Sequence, residues 1–168
     1  IISGRPLSIR YTAEHVPAIV NAWEPGQFGG QAIAELLYGK VNPSAKLAMT
    51  IPRSVGQIST WYNHKRSAFF HPVVCSDNTP LYPFGYGLSY TTFRYTDLKL
   101  SKSKIPNDGK TPVTAYVTIE NTGQRDGVEI CQLYINDVVA SVTRPVKELK
   151  DFRRVALKAG EKKTIEFV

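Results

Sequence analysis

The chain has 168 residues, 42% of them hydrophobic and 11% aromatic, with a formal net charge of +7. That composition excludes a disordered chain, and no apolar run approaches the ~18 residues of a membrane helix. Nucleic-acid binding is not expected either: residues 1–66 carry seven Lys/Arg against three acids and residues 67–168 fourteen against eleven. The densest clusters are the pairs Lys65-Arg66, Arg153-Arg154 and Lys162-Lys163, whereas nucleic-acid binders gather charge on one face among stacking aromatics.

In chain order, residues 1–53 read as strand, loop, strand, helix, strand. The opening "IISGRPLSI" reads as a strand already under way rather than as a charged-then-apolar signal segment. "AIVNAW" (18–23), bounded by Pro17 and Pro25, is a short apolar run of the kind found in a buried parallel strand. "GGQAIAELLYGK" places Ala32, Ile33, Leu36 and Leu37 at helical spacing, and Gly39 follows as a C-cap. "KLAMTIPRS" is expected to start another strand. Strand, glycine loop, helix and strand predict an α/β unit.

The middle of the chain, "TPLYPFGYGLSY" (79–90), combines prolines and glycines that hinder regular structure with many apolar rings. A free linker would be polar, so this stretch is expected to be a connector with buried side chains. Beyond it the period becomes two. "PVTAYVTIENTG" alternates Val113, Ala115, Val117 and Ile119 with Thr114, Tyr116, Thr118 and Glu120 and ends in a turn. "TTFRYTDLKL" changes phase between Tyr95 and Leu98, predicting a bulge at Thr96-Asp97. "GVEICQLYIND", "DFRRVALKAGE" with a turn at Ala159-Gly160, and "KKTIEFV" supply further strands, with "PVKELK" a possible sixth. Strands without helices predict a β-sandwich, but one with fewer than the usual ~7 strands. Both ends read as strands interrupted, so a fragment is expected.

Catalytic patterns are sparse. "PGQFGG" matches neither the dinucleotide fingerprint nor a P-loop, and no G-x-S-x-G elbow is present. The glycine loop still lies at the carboxyl end of a strand, where open α/β sheets bind ligands. Among Glu14, Glu24 and Glu35, the acids of the first half, Glu24 beside Trp23 is the one so placed. "STWYNHKRSAFF" interleaves rings with amide and cationic donors. That suits a pyranose, with its apolar face and hydroxyl rim, and equally suits a packed loop anchored by Trp61, Tyr62, Phe69 and Phe70. His15, His64 and His71 have no partner at metal-ligand spacing. Cys131 lies in a strand and reads as a buried free thiol, with pairing to Cys75 the alternative.

"SGRPLSI", "VPAIVNAWEPGQFGGQAIAELLYGKVNPSAKLAMTIPRSVGQI", "YNHK", "PLYPFGYGLSYTTF" and "NTGQRDGVEICQLYINDVVASVTRPVKELKDFRRVALKAGEKKTIEF" occur in this order. The chain so described resembles the C-terminal part of glycoside hydrolase family 3, the β-glucosidases and β-xylosidases, over essentially its whole length. The resemblance implies an α/β fold followed by an all-β one. Residues 1–66 would be the end of an α/β sandwich domain, 67–91 an interdomain connector with buried rings, and 92–168 a fibronectin type III-like domain lacking its last strands. It implies an exo-acting, retaining β-glycosidase in which an Asp nucleophile sits on an N-terminal barrel and a Glu acid/base lies upstream of "SGRPL". No catalytic residue is therefore assigned in this chain. Trp23, Glu24, Trp61, Tyr62 and Asn63 are the candidate substrate-binding residues. The implied partners are β-linked oligosaccharides or aryl glycosides together with the missing barrel, not nucleic acid or membrane. No cofactor or metal is implied, and the implied location is periplasmic or secreted. Phe28, Ala45 and Ala48 depart from the Glu, Gly and Pro common in the family, which touches any polar contact the glycine loop makes. The alternative reading is a carbohydrate- or surface-binding β-sandwich module, for which residues 92–168 offer chiefly Tyr116 and Tyr134.

Overall fold

The computed structural model describes residues 1–57, 60–66 and 79–168. Phe69, Phe70, His71 and Cys75 lie outside the described residues. Two compact units are formed: Ile1–Val41, Ala45–Gly87 and Tyr134–Lys150 make one, and Asn42–Ser44, Leu88–Leu133 and Asp151–Val168 the other.

The first unit is α/β. Strand β1 (Ile2–Ser3) pairs in parallel with β2 (Asn21–Trp23), through bonds from Ile2 N–H to the Val20 carbonyl and from Gly4 N–H to the Trp23 carbonyl, both 2.8 Å. Between them is a short helix, α1 (Arg10–His15), that the apolar pattern does not announce. Its six residues carry no buried face. An exposed Arg10–Glu14 pair at 2.8 Å, one helical turn apart, supports it locally. His15 Nδ1 lies 2.8 Å from the Tyr11 carbonyl, and the helix stops two residues before Pro17. Glu14 thus belongs to a helix.

Helix α2 (Gly29–Leu37) forms where its spacing predicts, with Ile33 and Leu36 half-buried and Ala32 and Leu37 exposed. Gly29 is needed for close approach, since a Cβ there would lie 2.6 Å from Pro25. Beyond the helix, Gly39 takes φ +72° and donates to the Leu36 carbonyl at 3.0 Å, as a glycine C-cap should.

The expected strand "KLAMTIPRS" is not one. Its backbone instead meets the aromatic connector at two separate points. Leu47 N–H donates to Tyr86 O and Gly85 N–H to Leu47 O, at 2.8 and 2.7 Å. Ile51, buried at 3% exposure, bridges Tyr82. Pro52, Pro80 and Pro83 lack the N–H groups that would join these contacts into a ladder. The only parallel pairing among the described residues is therefore β1 with β2, not a pairing across α2.

The connector is also less buried than expected. Tyr82 and Phe84 are half-buried, whereas Tyr86, Leu88 and Tyr90 are exposed. Tyr86 N–H reaches back to Pro83 O at 3.1 Å, with Gly85 at φ +81° in the position where a type II turn demands it. That reversal stacks Tyr82 on Tyr86, with centroids 5.3 Å apart, and turns the latter ring outward.

The second unit carries an antiparallel sheet in the order β3-β4-β7, formed by Phe93–Leu100, Ala115–Asn121 and Lys162–Phe167. The remaining strands, β5 (Gly127–Ile135) and β6 (Glu148–Leu157), form a separate two-stranded sheet. The start of β6 absorbs the "ELK" of "PVKELK", so that segment adds no sixth strand. Strict alternation buries Ala115, Val117, Ile119 and Asn121 of β4. Of these, Ala115, Val117 and Ile119 pack with Cys131 of β5, Val155 and Leu157 of β6 and Phe167 of β7. Cys131 is a buried free thiol, as expected. The phase change in β3 is real: the β3–β4 register shifts between Thr96 and Lys99, and Asp97 adopts φ +55°.

Candidate functional site

The predicted site residues all fall in the first unit, on two stretches. Trp23 ends β2 in a left-handed conformation, φ +49°, which is an outlier for a bulky side chain. Its N–H is held by Asn21 Oδ1 at 3.2 Å and its carbonyl by Gly4 N–H. Because both backbone groups are fixed, the chain is forced to turn out of the sheet. Glu24 follows, exposed, and Pro25 restricts it to extended geometry. Gly26 at φ +65° and its carbonyl bond from Gly29 N–H, 3.1 Å, then fold the loop onto α2. Phe28 occupies the N-cap of α2, gives no side-chain cap and is 68% exposed. The Trp23-Glu24 loop is thus a backbone-braced corner presenting one carboxylate and two rings.

The second stretch divides its residues between roles. Tyr62 is a packing residue: its ring stacks on Phe84 at 4.2 Å and meets Tyr134 edge-on at 5.9 Å. Its hydroxyl accepts the Leu149 N–H at 3.2 Å. Burial raises the Tyr134 phenol above its ordinary pKa, with the nearby Tyr62 adding to the effect. Lys147 Nζ lies 5.3 Å from the Tyr134 ring centroid. Tyr134 is therefore engaged on its own chain rather than offered to a ligand. By contrast Trp61 is 70% exposed and Asn63 is exposed. Their orientation is set by the His64 N–H to Trp61 carbonyl bond, 3.3 Å, and by Val146 N–H donating to His64 O at 3.0 Å. Among the described residues, no hydrogen bond or ring contact joins the Trp23-Glu24 loop to residues 61–63.

The other acids among residues 1–66 are tied down. Glu35 Oε1 accepts Lys40 Nζ at 2.7 Å and Gln31 Nε2 at 3.0 Å, and the Lys40 bond foremost holds its pKa below the usual glutamate range. The Arg10 hydrogen bond does the same for Glu14. Sequence reasoning overlooked Arg53. Its Nε donates to the Thr79 carbonyl at 2.8 Å and its Nη2 to Thr79 Oγ1 at 3.0 Å. Gln57 braces it, accepting Arg53 N–H at 2.7 Å and donating to Thr79 O at 3.2 Å. The i,i+4 spacing of Arg53 and Gln57 was a visible signal, but their partner lies 26 residues away from Arg53. Among the described residues no group of three His, Cys, Asp or Glu could hold a metal, and no helix is long and apolar enough to cross a membrane.

Known proteins place this arrangement. The family model for the glycosyl hydrolase family 3 C-terminal domain matches residues 1–90, and that for a fibronectin type III-like domain matches residues 129–168. A periplasmic beta-glucosidase of Salmonella typhimurium is 45% identical over 99% of this chain and 23% of its own length. A beta-xylosidase of Formosa agariphila is 47% identical, with the same coverage. Among solved structures, a β-glucosidase from Erythrobacter marinus superposes with a TM-score of 0.93 at 46% identity, over 99% of this chain and 22% of that one. A Listeria innocua beta-glucosidase in complex with glucose gives 0.82 at 38% identity, over 97% and 24%. The chain thus spans less than a quarter of the relatives it matches. With more than half of its residues matched by that family's own domain, the chain belongs to glycosyl hydrolase family 3.

Proposed function

We propose that this chain is the C-terminal portion of an exo-acting, retaining β-glycosidase that acts on β-glucosides or β-xylosides, and that it supplies scaffold and part of the pocket rim. The observation carrying this reading is the match of 97–99% of the chain to the C-terminal part of β-glucosidases and a β-xylosidase. Residues 1–66 and 92–168 are the two domain portions in this reading, joined by 67–91.

Retaining hydrolysis requires two carboxyl groups about 5–5.5 Å apart. Among residues 1–66, Glu14 and Glu35 are engaged by cations, which leaves Glu24 as the exposed loop acid of that stretch. In this reading the reactive pair belongs to the part of the enzyme that the relatives have in addition. Trp23 and Trp61 offer ring surface to a sugar, Glu24 and Asn63 hydrogen-bonding groups, and Tyr62 positions its neighbours from beneath. The substrates are β-linked oligosaccharides or aryl glycosides, and the whole enzyme works in the periplasm or outside the cell.

The purified 168-residue chain is expected to release no chromophore from an aryl β-glucoside or β-xyloside above background. Grafted in place of the matching portion of the Salmonella relative, it is expected to support turnover. Activity of the isolated chain would overturn this assignment of roles.

A further inference from the structure

A cleft of about 580 Å³ runs along the open edge of β7 in the second unit. Four consecutive residues of β6, 153–156, face four consecutive residues of β7, 163–166, with Tyr116 of β4 at one end. Sheet order explains why it is open. β7 is the last strand of its sheet and β6 belongs to a two-stranded one, so each has a single strand partner.

The lining is cationic, with Arg153, Arg154 and Lys163 against one acid, Glu166. Arg153 pairs with Asp151 at 2.6 Å and covers the Phe167 ring, 5.1 Å from its centroid. Lys163 Nζ pairs with Glu161 at 3.2 Å and crosses the cleft to the Ala156 carbonyl at 2.9 Å. Arg154 makes no hydrogen bond or ion pair among the described residues, although it lines the same cleft. An arginine fork of this kind matches a carboxylate bidentately. Tyr116, 37% exposed, adds an aromatic surface at the cleft's end.

We propose that this cleft binds a carboxylate-bearing oligosaccharide, with Arg154 as the main carboxylate ligand and Tyr116 as the platform for a sugar face. An added peptide strand is the competing occupant of two open strand edges. The cleft disfavours it, because Lys163 already occupies the Ala156 carbonyl and long cations on edge strands obstruct strand addition. The same cations, with Arg154 unpaired among the described residues, suit an acidic sugar. This site lies in the second unit and does not depend on the β-glycosidase reading, which concerns residues of the first. Binding tests it and turnover does not, so each can fail alone.

The test is calorimetric titration of the 168-residue chain at low salt with trigalacturonate, xylotriose and triglutamate. Trigalacturonate is expected to bind at least about tenfold more tightly than either of the others, and more weakly as salt is raised. Arg154→Ala should weaken it about tenfold and Tyr116→Ala about fivefold, while Tyr116→Phe retains it, all with unchanged melting temperature. Equal affinity for xylotriose, equal affinity for the acidic peptide, indifference to Arg154→Ala, or no binding of trigalacturonate would each overturn the proposal.

Discussion

Asn121 is fully buried in the second unit, yet each polar atom it carries is used. Its Oδ1 accepts the Thr91 hydroxyl at 2.7 Å and the Gly123 N–H at 3.1 Å. Its Nδ2 donates to the Arg125 and Leu157 carbonyls at 2.8 and 3.2 Å. Asn121→Ala would leave several buried groups unpaired, and urea unfolding should register a loss of about 3 kcal/mol. Arg10→Ala, which removes an exposed, solvent-screened pair, should leave the urea midpoint nearly unchanged. Charge works differently at Glu120, whose pKa is lowered first by its hydrogen bond from Arg94 and then by Lys162 at 3.3 Å. A carboxylate with a lowered folded-state pKa stabilises above its unfolded pKa and loses that contribution as pH falls through the folded one. Melting temperature should therefore decline below about pH 4.5, and Glu120→Gln should flatten that decline. A variant that tracks the parent chain at every pH would show that the pair contributes nothing.

Elements differ in how much of them a local pattern can reveal. The alternation of β4 was legible because its own side chains face one core, and the phase change of β3 because it is written in that strand's own residues. Helix α2 and its Gly39 cap were legible for the same reason. The failed strand at "KLAMTIPRS" was not, because its partner is a proline-bearing connector some 30 residues on, which no pattern within the segment discloses. Helix α1 escaped notice because its six residues bury nothing, so periodicity had no signal to carry. In the candidate site, Trp23-Glu24 was found from its place after a strand, whereas the packing role of Tyr62 depends on Phe84, Tyr134 and Leu149. The glycines of α2 offer a test at this scale. A methyl at Gly29 meets Pro25 at 2.6 Å, while one at Gly30 meets open space. Gly29→Ala should lower the urea midpoint, and Gly30→Ala should leave it unchanged or raise stability by up to about 1 kcal/mol. The reverse order would contradict the packing of this loop on the helix.

At the scale of the whole molecule, the net charge of +7 is spread over both units, and the chemistry is equally dispersed. The order of recognisable segments made the family legible, whereas three separate stretches of chain compose the first unit, and that was not foreseeable from any one of them. Tyr62 is where the separate stretches meet, its hydroxyl accepting a backbone amide 87 residues further along. A ribosome delivers the chain from its N-terminus, so the α/β unit must wait, incompletely tied, until Leu149 has left the exit tunnel. By then β3, β4 and β5 have already been synthesised. The first unit to begin is thus among the last to be finished, and its closure waits on chain that also builds its neighbour.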